Sequence, residues 1–115
     1  MAKLNEGEVA ISIEGNPFVL KPTLRAMTAI NSQFGGMAAA RKAVVEQDFF
    51  GVIGVIRHGV GMTDAQAINL SEAVFRNGMT GDLLVPLIRY LGILANGGRP
   101  LPDDPGAGSA EGNES

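Results

Sequence analysis

Apolar residues recur along this chain with two different spacings. Val9, Ile11 and Ile13 alternate with Ala10, Ser12 and Glu14, the period of a half-buried strand. Gly15-Asn16-Pro17 reads as a sharp turn, because Gly supplies positive φ and Pro withholds a ladder donor. Phe18 and Leu20 then alternate with Val19 and Lys21, so the segment predicts a β-hairpin. A hairpin alone is marginal in water, and this one needs helices or a second subunit over its apolar face.

From Pro22 onward the spacing is helical. Thr23 is expected as an N-cap, Leu24, Met27, Ile30 and Phe34 form a stripe, and Gly35-Gly36 ends the helix. A weaker helix is expected from Met37 to about Gln47, favoured by Ala38, Ala39 and Ala40, with Ala40 and Val44 as its apolar side. The most apolar run is Asp48 to His58, opened by an Asp and closed by Gly59. Phe49, Val52, Ile53 and Ile56 lie on one face, and Phe50 and Val55 widen it until almost no side is polar. Such a helix belongs in an interior or against a partner. Gly51 and Gly54 cost about 0.8–1 kcal/mol each in helix propensity and allow close approach by a neighbour.

Thr63-Asp-Ala-Gln66 has the form of a capping box, and the helix after it places Ala67, Ile68, Val74 and Phe75 on one broad side before Asn77-Gly78. The last helix is expected to start at Asp82, with Pro86 in its first turn and an apolar stripe of Leu84, Leu87, Ile88, Leu91 and Ile93 or Leu94. It stops at Asn96-Gly97-Gly98. Residues 1–7 are expected to be a flexible N-terminus, and 99–115, rich in Pro, Gly and acidic residues, is expected to be disordered. The fold class is therefore α+β: one domain over residues 8–98, a hairpin over 8–21 and about five helices over 23–97.

The 115 residues suit one domain, and an apolar content of 45% with only 5% aromatics implies an aliphatic core. Nine Lys and Arg against twelve Asp and Glu give a net charge of −3, which argues against phosphate-backbone binding. The chain has no Cys, excluding disulfides and thiolate chemistry. The apolar runs are shorter than the ~20 residues that span a bilayer, and Met1–Glu8 is not a signal peptide. A soluble, cytoplasmic protein is expected.

Candidate chemistry is sparse. His58 lacks a local nucleophile or carboxylate partner and, beside Arg57, reads as a complement to a helix C-terminus. The glycines at 51, 54, 59 and 61 lack the following Lys-Ser/Thr of a phosphate loop. Asp48–His58, a Gly turn and Thr63–Asn77 mimic a helix-turn-helix, but its second helix offers Asp64, Gln66, Asn69, Glu72 and only Arg76 as a cation. No catalytic residue, metal set or cofactor site is expected. The stripes on the central and last helices read first as core, yet there is more apolar helix surface than so short a chain needs. That surplus makes Phe49, Phe50, Val52, Ile53, Ile56, Leu84, Leu87, Ile88 and Leu91 the candidate partner-binding residues.

Gly7-Glu8-Val9, Gly15-Asn16-Pro17-Phe18-Val19-Leu20, Thr23-Leu24-Arg25-Ala26 with Phe34-Gly35, and Val55-Ile-Arg-His-Gly59 together carry a resemblance. The chain resembles, from Gly7 to Gly97, the small tail proteins of gene transfer agents and related phages, which are classed with phage tail assembly chaperones. The resemblance implies a non-enzymatic role in virion morphogenesis, in the host cytoplasm. The partners it implies are the helical tape-measure protein, other tail proteins or a second copy of the chain, with no nucleic acid and no membrane. Some members are labelled tail tube proteins, so a structural, tube-associated component is the first alternative, although a tube subunit needs long strands. A small helical nucleic-acid-binding regulator is the second.

Overall fold

A computed structural model describes residues 4–101, and the expectations for residues 1–3 and 102–115 lie outside the described residues. An antiparallel hairpin, β1 (Val9–Ile13) and β2 (Asn16–Leu20), precedes five helices. These are α1 (Leu24–Phe34), α2 (Met37–Val45), α3 (Phe49–Val60), α4 (Asp64–Asn77) and α5 (Gly81–Ala95). The α+β class and the hairpin-then-helices order follow the sequence pattern. None of these helices is long and apolar enough to cross a membrane.

The strand alternation is realised directly. Val9, Ile11 and Ile13 are buried while Ala10 and Ser12 face solvent, and Leu20 is buried on β2. The turn differs from expectation: it is Glu14-Gly15, both at positive φ (53° and 81°), and Asn16 and Pro17 already belong to β2, paired with Ile13 and Ser12. Two central residues at φ > 0 match the twist of the flanking strands, which is why a two-residue turn wins. Glu14 is not a natural occupant of that conformation, and Arg76 on α4 holds its carboxylate with both oxygens, at 2.8 and 3.0 Å. The hydrogen bond from Arg76 keeps the Glu14 carboxyl below its usual pKa.

Helix ends follow local chemistry with three departures. The Thr23 cap and the Thr63–Gln66 capping box form as the sequence implies. The central helix does not stop at Gly59. It runs on to Val60, and Gly61 takes the left-handed conformation instead (φ 82°). Thr80, not Asp82, caps α5 by accepting the Leu83 N–H, which moves Pro86 from the first turn into the second. There the missing N–H leaves the Asp82 carbonyl without its intrahelical donor.

The third departure is the end of α2, at Val45 rather than about Gln47. Gln47 is left-handed (φ 60°), with its N–H on Val44 C=O and the Asp48 N–H on Ala43 C=O. This is the double-bonded C-terminal motif that usually employs Gly. Replacing Gln47→Gly is expected to stabilise the domain by about 0.5–1 kcal/mol, relief of left-handed strain outweighing the added unfolded-state entropy. A rise of several degrees in the thermal midpoint would record it; an unchanged or lower midpoint would mean that the turn is not strained.

The core is one cluster: the inner face of the hairpin, Ile30, Ala40 and Val44, most of α3, Leu70 and Val74, and seven buried positions of α5. α5 packs on β1 and α2, while α3 touches β2 and all four other helices. The packed unit is longer than 8–98. Gly7 is buried and stands so close to Gly98 that a Cβ would lie 2.4 Å from its carbonyl oxygen. Leu101 packs onto α5, at the position where a Cβ on Gly92 would meet it at 3.1 Å.

Candidate interaction surface

Most of the expected partner-binding set is not available to a partner. Val52, Ile53, Ile56, Leu84, Leu87 and Leu91 are buried in the chain's own core, and Phe49 and Ile88 are partly buried against it. α3 and α5 are covered by the hairpin and their neighbours, so most of their apolar surface is taken up by folding. Gly51 and Gly54 serve that packing: a Cβ would sit 2.8 Å from Ala43 Cβ at the first and 2.5 Å from the Gln33 amide at the second. Of the nine residues, only Phe50 is exposed, its ring edge-on to Phe49 at 5.3 Å between centroids.

The large apolar side chains left in solvent are Phe50 and others outside that set. Leu24 is 80% exposed, Phe75 77%, Ile68 74%, Phe50 71% and Val85 64%. Leu24, Ile68 and Phe75 belong to the apolar stripes that helical spacing predicts, yet they stand in solvent. On α4 the one broad side expected for Ala67, Ile68, Val74 and Phe75 is divided. The helix carries two apolar stripes, and the inner one is Leu70 with Val74, leaving Ile68 and Phe75 on the opposite side. Three and four residues bring i and i+7 side chains into line, so Ile68 and Phe75 share a solvent face flanked by Asp64 and Glu72. Burial of Leu70 and Val74 in the core sets this rotation, and the Glu14–Arg76 ion pair ties the end of α4 to the hairpin turn. Large apolar side chains gathered on one solvent face mark an interaction surface more often than isolated ones do.

On another side of α4 an apolar groove of about 510 Å³ runs between the hairpin and the end of α3. Phe18, Val60, Met62, Leu70 and Ala73 supply its walls, and the amides of Gln66 and Asn69 its polar points. A smaller recess of about 230 Å³ holds Lys21, Arg25, Arg57 and His58 together. His58 meets Gln33 Oε1 at 2.9 Å, and burial, then the charge of Arg57, keeps its pKa below the ordinary imidazole value. No nucleophile touches the ring among the described residues, and Arg57 is itself ion-paired with Asp64. Arg76 is likewise engaged by Glu14 and Glu72, so the solvent side of α4 presents no uncommitted cation to a phosphate backbone. Among the described residues no group of three His, Asp or Glu side chains converges as a metal site requires.

Comparison with protein-family models, with curated proteins and with solved structures finds no match to this chain.

Proposed function

We propose that the chain is a non-enzymatic tail assembly protein, a chaperone that keeps the helical tape-measure protein of a phage or gene transfer agent tail soluble while the tail is built. Two things support the reading: the resemblance over Gly7 to Gly97, and an apolar surface that folding leaves uncovered. The observation that carries it is the outer stripe of α4, where Ile68 and Phe75 stand in line, two helical turns apart, in solvent. A long amphipathic client helix offers apolar anchors one or two turns apart, which match that spacing. Covering each large side chain is worth roughly 1.5–3 kcal/mol, enough for a transient holding contact. The binding surface therefore moves from the set expected on α3 and α5 to Ile68, Phe75 and their exposed neighbours. Two strands of five residues each are too short to build an inter-subunit tube wall, which weighs against the structural alternative.

Co-expression with a tape-measure protein tests it. The wild-type chain is expected to raise the soluble fraction of the client and to co-purify with it. The double variant Ile68→Asp, Phe75→Asp should lose at least ten-fold in capture while its circular dichroism and thermal midpoint stay close to wild type, since neither side chain is in the core. Unchanged client solubility with no co-purified complex would sink the chaperone reading. Regular tubes formed by the purified chain alone would replace it with a structural one.

A further inference from the structure

The two edges of the hairpin are unequal. Because Glu14-Gly15 is a two-residue turn, the flanking pair Ile13–Asn16 is hydrogen-bonded across the ladder, and so, by antiparallel alternation, are Ile11–Phe18 and Val9–Leu20. The peptide groups of Ala10 and Ser12 on β1, and of Pro17 and Val19 on β2, therefore point outward. On the β2 side Pro17 has no N–H, and the outward Lys21 N–H is already given to Gly59 C=O at 2.9 Å. On the β1 side only the ends are closed. Glu8 N–H donates to Asn5 C=O at 3.0 Å, and Glu14 N–H donates to Asn77 Oδ1 at 2.8 Å. Between them, the N–H and C=O groups of Ala10 and Ser12 meet no partner among the described residues.

An unpaired run of this kind is a template for strand addition, and charge selects the strand. A second copy fits poorly. The antiparallel register that bonds every outward group of the strand sets Ala10 of one copy against Ser12 of the other, and it brings Glu8 of each copy towards the Glu14 turn of the other. Like charges brought together at a strand pairing are destabilising. Residues 102–115 carry Asp103, Asp104, Glu111 and Glu114 with no Lys or Arg, so they bear the same wrong sign. At the Glu14 end, Glu14 and Glu72 share the single guanidinium of Arg76, which leaves that end negative. We propose that the free edge of β1 takes an extended segment of another protein as a third strand. That segment carries basic residues six positions apart, opposite Glu8 and Glu14, with small or β-branched residues between them. This surface is separate from the outer face of α4, and the proposal stands whether or not the chaperone reading does.

The probe is an acetylated, amidated peptide, Lys-Val-Thr-Val-Thr-Val-Lys, titrated into the ¹⁵N-labelled full-length chain. The amide signals of Ala10 and Ser12 should move saturably and more than that of Ile11, whose N–H is already in the ladder. Exchanging both Lys for Glu in the peptide should weaken binding at least ten-fold. Ser12→Pro, which removes an outward N–H that β2 does not use, should do the same. Glu8→Lys supplies a readout independent of any effect on folding, because it should narrow or reverse the preference between the two peptides. Absence of movement at Ala10 and Ser12, or equal response to both peptides, would overturn the proposal. So would self-association of the free chain that Ser12→Pro abolishes, since the edge would then belong to a second copy.

Discussion

Gly59→Val is expected to cost the domain about 3 kcal/mol, the upper part of the range for overpacked cores. For a domain of this size that corresponds to a fall of about 12–24 °C in thermal midpoint. The position lies in the last turn of α3, where the helix crosses β2 and α5. A Cβ there would come within 2.7 Å of Leu20 Cδ2 and 3.0 Å of Tyr90 Cε2. Both neighbours are fully buried and have nowhere to retreat. The same contact lets Gly59 C=O receive the Lys21 N–H, so a shift of α3 would also unpair the end of the hairpin. Gly54→Ala is the control. Its new methyl would meet the amide of Gln33, the far end of an exposed, flexible side chain, and the gain in helix propensity should offset the adjustment. Thermal unfolding of the two variants separates the cases; equal midpoints would show that α3 is not pinned at Gly59.

Tyr90→Ala should be comparably damaging, by about 3–5 kcal/mol, because it empties the largest fully buried side chain of the core. Tyr90→Phe should cost only about 1 kcal/mol. The hydroxyl donates to Lys21 C=O at 2.6 Å, but that carbonyl also receives the Thr23 N–H at 2.9 Å and is not orphaned by the change. Burial pushes the Tyr90 phenol well above its ordinary value. The sign of the pH effect follows: the unfolded phenol ionises near pH 10 while the folded one stays neutral, so stability falls as pH rises above about 10. Tyr90→Phe removes that part of the alkaline loss. Denaturant titrations at neutral pH and near pH 11 measure both effects, and a variant as alkali-sensitive as wild type would show that Tyr90 does not drive the loss.

Local sequence signals carry over to the structure where one residue type has one physical answer. Thr23 and the Thr63–Gln66 box cap their helices because a side-chain oxygen reaches N–H groups that the helix cannot satisfy. Gly35 and Gly97 end helices because only a residue without Cβ takes φ near +80° freely. Asp82 misled because Thr80, two residues earlier, offers the same chemistry with better geometry. Gly59 misled for the opposite reason: it is a glycine for side-chain clearance rather than for its φ, and spacing does not separate the two uses. Gln47 gave no stop signal at all, since it holds a conformation that its own residue type disfavours.

The alternation at Val9 to Ile13 and the apolar density of α3 and α5 decided by themselves that this chain is a hairpin under helices. Those patterns encode which side chains leave water, and in a chain of this length that settles the class. They did not decide what covers what. Ile68 and Phe75 are as apolar as Leu70 and Val74, and only the docking of α4 on the core turned one pair inward and left the other out. The open edge at Ala10 and Ser12 is likewise a product of assembly, because a strand's free peptide groups are whatever its neighbours leave unpaired. Burial is a property of pairs of surfaces, so a one-dimensional pattern sets how much apolar surface a chain owns and the tertiary structure sets how much of it stays in solvent.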